Sequence, residues 1–283
     1  MEMYLVDAFT AVSFKGNPAA VTILESEPTD FGWMQSVAAE MNQSEACYVW
    51  PLNSESGAYS ESKADWGLRW FTPEAEIQLC GHATLASAHV LWSQGMVEKE
   101  QEVRFFTPMV GHHLSCSLDQ KNRYIRMSFP AMSLDSFELP TGISEALGTE
   151  VIDCMRNENG SLLLKLDSAQ TLIELEPDFR KLKESTSDVV IVTALSDRSS
   201  EHVVSRFFAP SHGIDEDPVT GSAHCIIGPY WGERLGRDSL ICYQASKRGG
   251  VLHLDLDLEA GRVYISGQAV TVLSADLKIT PGN

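Results

Sequence analysis

An internal repeat constrains the fold of this chain more than any other feature of its sequence. The run Arg69–Pro73 is echoed 137 residues later by Arg206–Pro210, and both copies read as the end of a strand followed by proline. A length of 283 residues also suits two domains. We therefore predict two similar halves: an N-terminal half over 1–122 that is completed by a C-terminal strand at 272–283, and a C-terminal half over 123–271.

Two predicted helix starts occupy corresponding places in the repeat. The same offset puts Cys80 opposite Asp217, and a small insertion after them brings Gly81–Ala83 opposite Gly221–Ala223. Two helix N-termini that face one another would present backbone N–H groups and two positive dipole ends to a shared space. Such a pocket would stabilise a carboxylate, or the enolate-like charge left when a proton leaves the neighbouring carbon, without a metal. The alternative is two ordinary helix starts that happen to look alike.

The spacing of apolar residues predicts a mixed α+β fold. Helical spacing runs from Asp30, a candidate N-cap, to near Asn42, and further helices are predicted over 81–92 and about 221–235. Period-two alternation predicts strands, which lie at 4–9, 19–24, 46–50, 68–71, 103–107, 124–129, 162–166, 189–193, 203–208, 251–256, 263–266 and 270–273. Glu45 then lies at a junction between a helix and a strand, where side chains often face a binding site.

Composition argues against several classes of protein. The hydrophobic fraction of 43% is ordinary for a globular chain, and no run approaches the roughly 20 apolar residues that cross a bilayer. The first residues lack the basic and apolar regions of a signal peptide, which predicts a cytoplasmic protein. A net charge of −18 would repel a phosphate backbone, so nucleic acid is not an expected partner. No glycine-rich dinucleotide loop follows a predicted strand, and we expect no cofactor.

The six cysteines are scattered without a Cys-x-x-Cys pair, which predicts reduced thiols that are mostly buried and inert. Zinc-ligand spacing is absent, so no metal site is expected. Cys80 differs from the others, because a helix N-terminus directly after it would stabilise its thiolate. The sequence leaves open whether this thiol is reactive or inert, and whether it faces a binding site or the core.

Four residues have the chemistry of acid–base catalysis or of substrate binding. Glu45, with apolar neighbours on its C-terminal side, suits a general base, although a solvated surface group is the simpler interpretation. His82, in the first turn of its helix, suits hydrogen bonding and proton relay, or it is a structural cap. Asp217 is a second carboxylate or part of an acidic turn. Ser222 either binds substrate or forms a hydrogen bond with the backbone at the start of its helix.

Several motifs, taken in order, resemble those of a known family. The chain resembles the phenazine-biosynthesis PhzF-like isomerase family from residue 1 to the closing strands at 267–277. The motifs that carry the resemblance are Asp7–Thr10, Phe14–Val21, Met41–Glu45, Cys80–Thr84 and Glu216–Ala223.

The resemblance implies a diaminopimelate-epimerase-like fold. In this fold two pseudo-symmetric α+β halves each wrap a mixed sheet around a central helix, and the active site lies in the cleft between them. Members of known activity move a proton on a dihydro-hydroxyanthranilic acid without a cofactor, and many members are homodimers. Their catalytic glutamate matches Glu45, and a histidine, an aspartate and a serine match the other three candidates. The residues that would bind a substrate are Ser44, Gly81, Thr220, Gly221 and Ser222.

The predicted function is therefore a cofactor-independent isomerase that moves a proton on a small carboxylate-bearing metabolite, with Glu45, His82 and Asp217 as its acid–base groups. Related epimerases use one cysteine at the start of each central helix, and here the second position looks like Asp217, which disfavours a two-cysteine enzyme. An epimerase or racemase that uses Cys80 with Glu45 or Asp217 stays open. So does a non-catalytic protein that binds a metabolite or a partner. The identity of the substrate is not predicted.

Overall fold

The computed structural model describes residues 1–52 and 64–280, which form two units. One unit comprises Met1–Ser128 together with the chain end from Ser266, and the other comprises Phe129–Ile265. The boundaries thus fall six residues away from the predicted ones at each crossing, at 128 rather than 122 and at 265 rather than 271. Residues 281–283, the end of the strand predicted to complete the first half, lie outside the described residues.

The first unit is a mixed sheet around a helix. Its strands are β1 (Glu2–Ala8), β2 (Asn17–Ile23), β3 (Glu45–Pro51), β4 (Trp66–Phe71), β5 (Glu76–Ile77), β6 (Val103–Thr107), β7 (His112–Asp119), β8 (Tyr124–Pro130) and, from the chain end, β18 (Ala269–Asp276). Its helices are α1 (Phe31–Met41) and α2 (Gly81–Ser93). Strands β2 and β3 pair in parallel, whereas β1 pairs antiparallel with both β2 and β18.

Helix α2 is the central helix of this unit. It packs against β1, β2, β3 and β18, and most of its residues are buried. Small side chains make this possible, because Ala83, Ala86 and Ala88 allow strands to approach closely and each is fully buried. A helix that is apolar on all sides is expected in the centre of a domain.

Helix α1 determines where β3 begins. The Asp30 carboxylate accepts a hydrogen bond from the Trp33 backbone N–H at 2.9 Å and caps the helix, as predicted. The helix stops at Asn42, which adopts a left-handed conformation with φ 48°. The chain then enters β3 at Glu45, so the candidate base lies at the predicted junction.

The second unit repeats this plan. Its strands are β9 (Asp135–Ser136), β10 (Asp153–Arg156), β11 (Ser161–Lys165), β12 (Val189–Leu195), β13 (Val203–Ala209), β14 (Ile214–Asp217), β15 (Ser239–Gln244), β16 (Gly250–Asp257) and β17 (Arg262–Gly267). Its helices are α3 (Ile143–Leu147), α4 (Ala169–Ile173), α5 (Phe179–Ser185) and α6 (Gly221–Leu235). Several short elements and two longer strands were not predicted from the sequence. These are the short elements β5, β9, β10, β14, α3, α4 and α5 and the strands β7 and β15.

The two units match strand by strand. The parallel pair β2–β3 corresponds to β11–β12, the antiparallel pair β3–β4 to β12–β13, and the parallel pair β4–β6 to β13–β15. Each central helix follows a short strand, β5 before α2 and β14 before α6. The predicted fold of two pseudo-symmetric α+β halves, each with a mixed sheet and a central helix, is confirmed.

The register of the repeat corrects one sequence alignment. Trp70 pairs with Ile77 in the first unit, and the corresponding Phe207 pairs with Asp217 in the second. Asp217 therefore corresponds to Ile77, and the prediction that it lies opposite Cys80 is wrong. The counterpart of Cys80 is Thr220, because these two residues are the N-caps of α2 and α6.

The misalignment has a local cause. The second unit carries its extra residues before β14, where a 3₁₀ turn at Pro210–His212 interrupts the chain. A repeated ion pair supports this placement: Arg69 contacts Glu76 at 2.6 Å in one unit, and Arg206 contacts Glu216 at 2.7 Å in the other.

None of the helices in the described part of the chain is long and apolar enough to cross a membrane. All six cysteines are free thiols, and five of them are buried, whereas Cys154 is half-buried.

The pairing of Trp50 with Gly67 across β3 and β4 predicts a severe cost for a side chain at position 67. A Cβ atom there would lie 2.1 Å from Trp50 Cε2. We expect Gly67→Ala to lower the free energy of unfolding by about 1–3 kcal/mol. Gly32→Ala is the matched control, since its Cβ would meet Asp30 Oδ1 at an ordinary 3.5 Å. Urea denaturation followed by circular dichroism compares the two, and an unchanged midpoint for Gly67→Ala would show that Trp50 does not pack on this strand.

Candidate active site

Glu45 is a buried carboxylate at the start of a strand. It is the first residue of β3 and pairs with Ala19 of β2, and only 8% of its surface is exposed. The preceding Ser44, a predicted substrate-binding residue, is half-buried. A carboxylate removed from water in this way needs a nearby polar or charged partner to offset its lost hydration.

His82 is that partner. Its Nε2 lies 2.9 Å from Glu45 Oε2, and the histidine is 4% exposed. The distance is that of a charge-assisted hydrogen bond, although the N–H direction is not aligned with the carboxylate oxygen. Catalytic hydrogen bonds often have such geometry and become better aligned when a substrate binds. The sequence predicted both residues as candidates, and the structure brings them together.

The other ring nitrogen of His82 faces two further groups. Its Nδ1 lies 3.1 Å from Asn17 Nδ2 and 3.3 Å from Cys80 Sγ. With the Asn17 amide nitrogen toward the ring, Nδ1 is the acceptor of this contact, and we expect the neutral ring to carry its proton on Nε2. The Nε2–H group thus faces Glu45. Asn17 therefore selects the tautomer that points a proton toward the candidate base.

Asn17 is a member of this site that was not assigned a role from the sequence. It is fully buried at the start of β2, after the tight turn at Gly16. Gly16 has φ 65°, and a Cβ atom there would lie 2.1 Å from the Ala8 carbonyl oxygen, so only glycine fits the turn. The sequence signal that could have identified Asn17 is its place between Gly16 and Pro18, at the start of a buried strand.

Cys80 is the thiol of this site. It is the N-cap of α2, is 7% exposed, and makes no capping hydrogen bond with its side chain. Burial raises the pKa of other thiols, including Cys47, for which Glu45 adds to the rise, and Cys225, whose pKa is raised to about 12. Those thiols stay protonated near neutral pH. Cys80 differs from them because it contacts an imidazole.

Glu45, Cys80 and His82 are also the types of residue that bind soft divalent metals. Among the described residues, they form a cluster whose potential ligand atoms lie within 4.8 Å of one another. However, Glu45 lies on the Nε2 side of the ring and Cys80 on the Nδ1 side, whereas a metal binds histidine through one nitrogen. One ion bound by all three groups would require the ring to turn. The present arrangement suits proton transfer better.

The candidates in the second unit form a network of their own. Thr220, the N-cap of α6, donates from its hydroxyl to the Asp217 carboxylate. Gln244, which is fully buried, accepts from the Thr220 backbone N–H at 2.8 Å and donates to the Asp217 carbonyl at 2.8 Å. The loop between β14 and α6 is therefore held rigidly. Gln244 was missed in the sequence analysis, where its strand was not predicted.

The start of α6 presents the other predicted binding residues. Gly221 is buried and Ser222 is exposed, in the positions that Gly81 and His82 occupy at the start of α2. The backbone N–H groups of such a first turn have no partner within the helix. Glu45, His82 and Cys80 belong to the first unit, and Asp217, Thr220, Gly221 and Ser222 belong to the second.

A buried histidine supports the same helix start. His224 Nδ1 lies 2.8 Å from the Thr220 carbonyl oxygen, and the residue is fully buried. Burial lowers the pKa of His224 to about 4, although the hydrogen bond to Thr220 opposes this effect. His224 is therefore a neutral donor that fixes the first turn of α6.

The tautomer of His82 is open to direct measurement. In the protein with its natural sequence we expect nitrogen-15 NMR to show a protonated Nε2 and an unprotonated Nδ1 for the neutral ring. Asn17→Asp replaces the donor beside Nδ1 with an acceptor, so we expect Nδ1 to become protonated. Asn122→Asp, at an exposed turn, is the control and leaves the spectrum of His82 unchanged. A protonated Nδ1 in the natural protein would contradict the assignment.

The buried His224 predicts acid sensitivity. The unfolded chain binds a proton near the ordinary pKa of 6.5, whereas the folded state does so only near 4. The free energy of unfolding therefore decreases as pH falls from 6.5 to 4. His224 accounts for roughly 3 kcal/mol of this decrease. We expect His224→Leu to lose this part of the pH dependence and the exposed His212→Leu to keep it, as measured by denaturation at pH 7, 5.5 and 4. Equal pH profiles for the natural protein and His224→Leu would contradict this prediction.

Comparison with known proteins places the chain in a family. A family model described as phenazine biosynthesis-like protein matches residues 6–275. An uncharacterised isomerase of Halalkalibacterium halodurans is 43% identical over 276 residues, which are 97% of each chain. The crystal structure of a PhzF family protein from Enterococcus faecalis has a TM-score of 0.87 and 36% identity and covers 98% of this chain and 99% of its own.

A more distant likeness concerns the fold alone. The structure of a probable proline racemase from Agrobacterium radiobacter matches with a TM-score of 0.62 at 11% identity and covers 100% of this chain and 94% of its own. Together with the family match, this agrees with the duplicated α+β architecture. The chain belongs to the phenazine biosynthesis-like PhzF family.

Proposed function

We propose that this protein is a cofactor-independent isomerase that moves a proton on a small carboxylic acid, with Glu45 as the general base. The observation that carries the proposal is the 2.9 Å contact between the buried Glu45 carboxylate and His82 Nε2. Both side chains are buried, and the N-cap of α2 is Cys80 rather than His82. The isomerase names of the relatives support the same class of reaction.

The proposed step needs no oxidant or second substrate. Glu45 removes a proton from a carbon of the substrate, and the electron pair of that C–H bond moves into the adjacent unsaturated system. The proton then returns at a different carbon, either from Glu45 itself or from His82 Nε2–H, which the protonated Glu45 afterwards reprotonates. The charge that develops is enolate-like, and the N-terminus of α2 lies beside the base, because His82 is in its first turn.

Asp217, Thr220, Gly221 and Ser222 are proposed to serve the same reaction from the second unit. The first-turn amides of α6 and the Ser222 hydroxyl are suited to a substrate carboxylate, as are Gly81 and Ser44 in the first unit. Asp217 is proposed as a second acid–base group. For these residues the support is the duplication of the two helix starts and the family membership.

An epimerase is the second candidate, and one contact favours it. Cys80 Sγ lies 3.3 Å from His82 Nδ1, and a thiolate would form there if Nδ1 took the thiol proton in place of the Asn17 hydrogen bond. Such an enzyme would use Cys80 with Glu45 or Asp217. A pair of equivalent thiols is excluded, because the counterpart of Cys80 in the second unit is Thr220.

The proposal is tested by proton NMR of the purified protein in D₂O with a panel of unsaturated, cyclic and amino carboxylic acids. We expect deuterium to enter one compound class, and Glu45→Gln to slow this exchange by at least about 10²-fold while the fold is kept. Glu40→Gln, an exposed glutamate in α1, is the matched control with full exchange. Treatment with EDTA is expected to leave the rate unchanged.

Other results would select among the candidates. Full exchange in Glu45→Gln would overturn the assignment of the base. Inversion at a stereocentre that is lost in Cys80→Ala would favour the epimerase. No exchange in any compound that nevertheless binds would favour a non-catalytic metabolite-binding protein. The homodimer implied by the resemblance and the cytoplasmic location stay predictions, and light scattering tests the first of them.

A further inference from the structure

A second concave site lies in the first unit, at the opposite end of α2 from the candidate active site. This pocket, which we call the His89 pocket, has a volume of about 240 Å³. His89 follows His82 by seven residues on the helix, which is about 10 Å along its axis. The turn between β7 and β8 forms another wall, and Ala269 of β18 completes the lining.

The floor of the pocket is apolar. It includes Trp92 and Ile125, which are 4% and 2% exposed. The pocket is open to solvent, and its volume leaves room for a ring-sized group. A ring-sized apolar group therefore fits on this floor.

The lip of the pocket is positively charged. Lys99 and Arg123 both line it and are exposed, and neither forms a salt bridge with any residue in the described ranges 1–52 and 64–280. Within the part of the chain that the structure describes, the two cations are therefore not neutralised by a nearby carboxylate within salt-bridge distance. Glu100 does not line the pocket, and its carboxylate accepts a hydrogen bond from Gln120 at 3.0 Å. Two cations above an apolar floor are complementary to an organic anion.

The backbone holds Arg123 in an unfavourable conformation. Arg123 is the last residue of the turn between the paired residues Asp119 and Tyr124, and its φ of 59° lies in the left-handed region that glycine or asparagine normally occupies. The turn is fixed by the Asp119 carboxylate, which accepts from the Lys121 backbone, and by Gln268, which donates to the Asn122 carbonyl at 2.8 Å. A charged residue kept in a strained position is often found at a functional site.

We propose that the His89 pocket binds a small organic anion with a ring-sized apolar body, whose acidic group contacts Lys99 and Arg123. The proposal is independent of the chemistry at Glu45. His89 supplies a neutral hydrogen-bonding group, since burial and the Arg123 cation lower its pKa to about 4 and its Nε2 contacts Thr271 Oγ1 at 3.0 Å. Either a carboxylate or a phosphate monoester has the required chemistry, and the choice of probe distinguishes them.

The test is titration of the full-length protein with benzoate, phenyl phosphate, inorganic phosphate and phenol, followed by the NMR signals of the His89 ring. These signals are assigned by their absence in His89→Gln. We expect a saturable shift with benzoate or phenyl phosphate, weaker binding of inorganic phosphate, which lacks the ring, and no shift with phenol, which lacks the charge. Whichever of benzoate and phenyl phosphate binds with the higher affinity identifies the acidic group as a carboxylate or a phosphate.

Variants locate the binding. Arg123→Gln and Lys99→Gln are each expected to weaken the affinity about tenfold or more. Lys121→Gln, in the same turn but outside the pocket lining, is the matched control with unchanged affinity. Arg123→Gly relieves the backbone strain, so it is expected to fold at least as stably and still to lose binding. Absence of a saturable shift with both aryl anions, or equal affinity in Arg123→Gln and the natural protein, would overturn the proposal.

Discussion

The contact between Glu45 and His82 is the interaction around which the candidate site is built. Two ionisable groups are buried here, at a cost in hydration that their mutual contact helps to offset. Several independent features bring this about. Helix α1 stops at a left-handed Asn42 so that β3 starts with Glu45, and the turn at Gly16 delivers Asn17 to the other side of the imidazole. The start of α2 supplies His82 itself, so the site depends on backbone geometry at three separate chain segments.

Duplication gave the two units one architecture and different chemistry. The strand registers place Val189 where the first unit has Glu45, and the helix starts place Thr220 and Ser222 where it has Cys80 and His82. The first unit therefore carries the proposed base and the imidazole. The second retains the helix N-terminus and adds Asp217, which Thr220 and Gln244 hold in place. This divergence fits the proposal that the first unit supplies proton transfer and the second supplies binding groups.

Much of this could be predicted from the sequence, because long periodic segments and cap residues are local signals. Helices α1, α2 and α6 and most of the long strands were predicted, and Asp30 caps α1 as expected. The short elements were missed, since a two-residue strand such as β5 has no periodicity. Asn17 and Gln244 were missed because their roles depend on partners 65 and 24 residues away. The alignment of Cys80 with Asp217 failed because the extra residues lie before β14, which only the strand register reveals.

The central claim is that Glu45 and His82 act as one unit, and a double-mutant cycle tests it most directly. The rate of deuterium exchange into the substrate is measured for the natural protein, Glu45→Gln, His82→Gln and the double variant, with folding checked by circular dichroism. If the two groups act together, the double variant is no slower than the slower single variant, because the first substitution already removes the shared function. Losses that multiply in the double variant would show two independent groups and contradict this account.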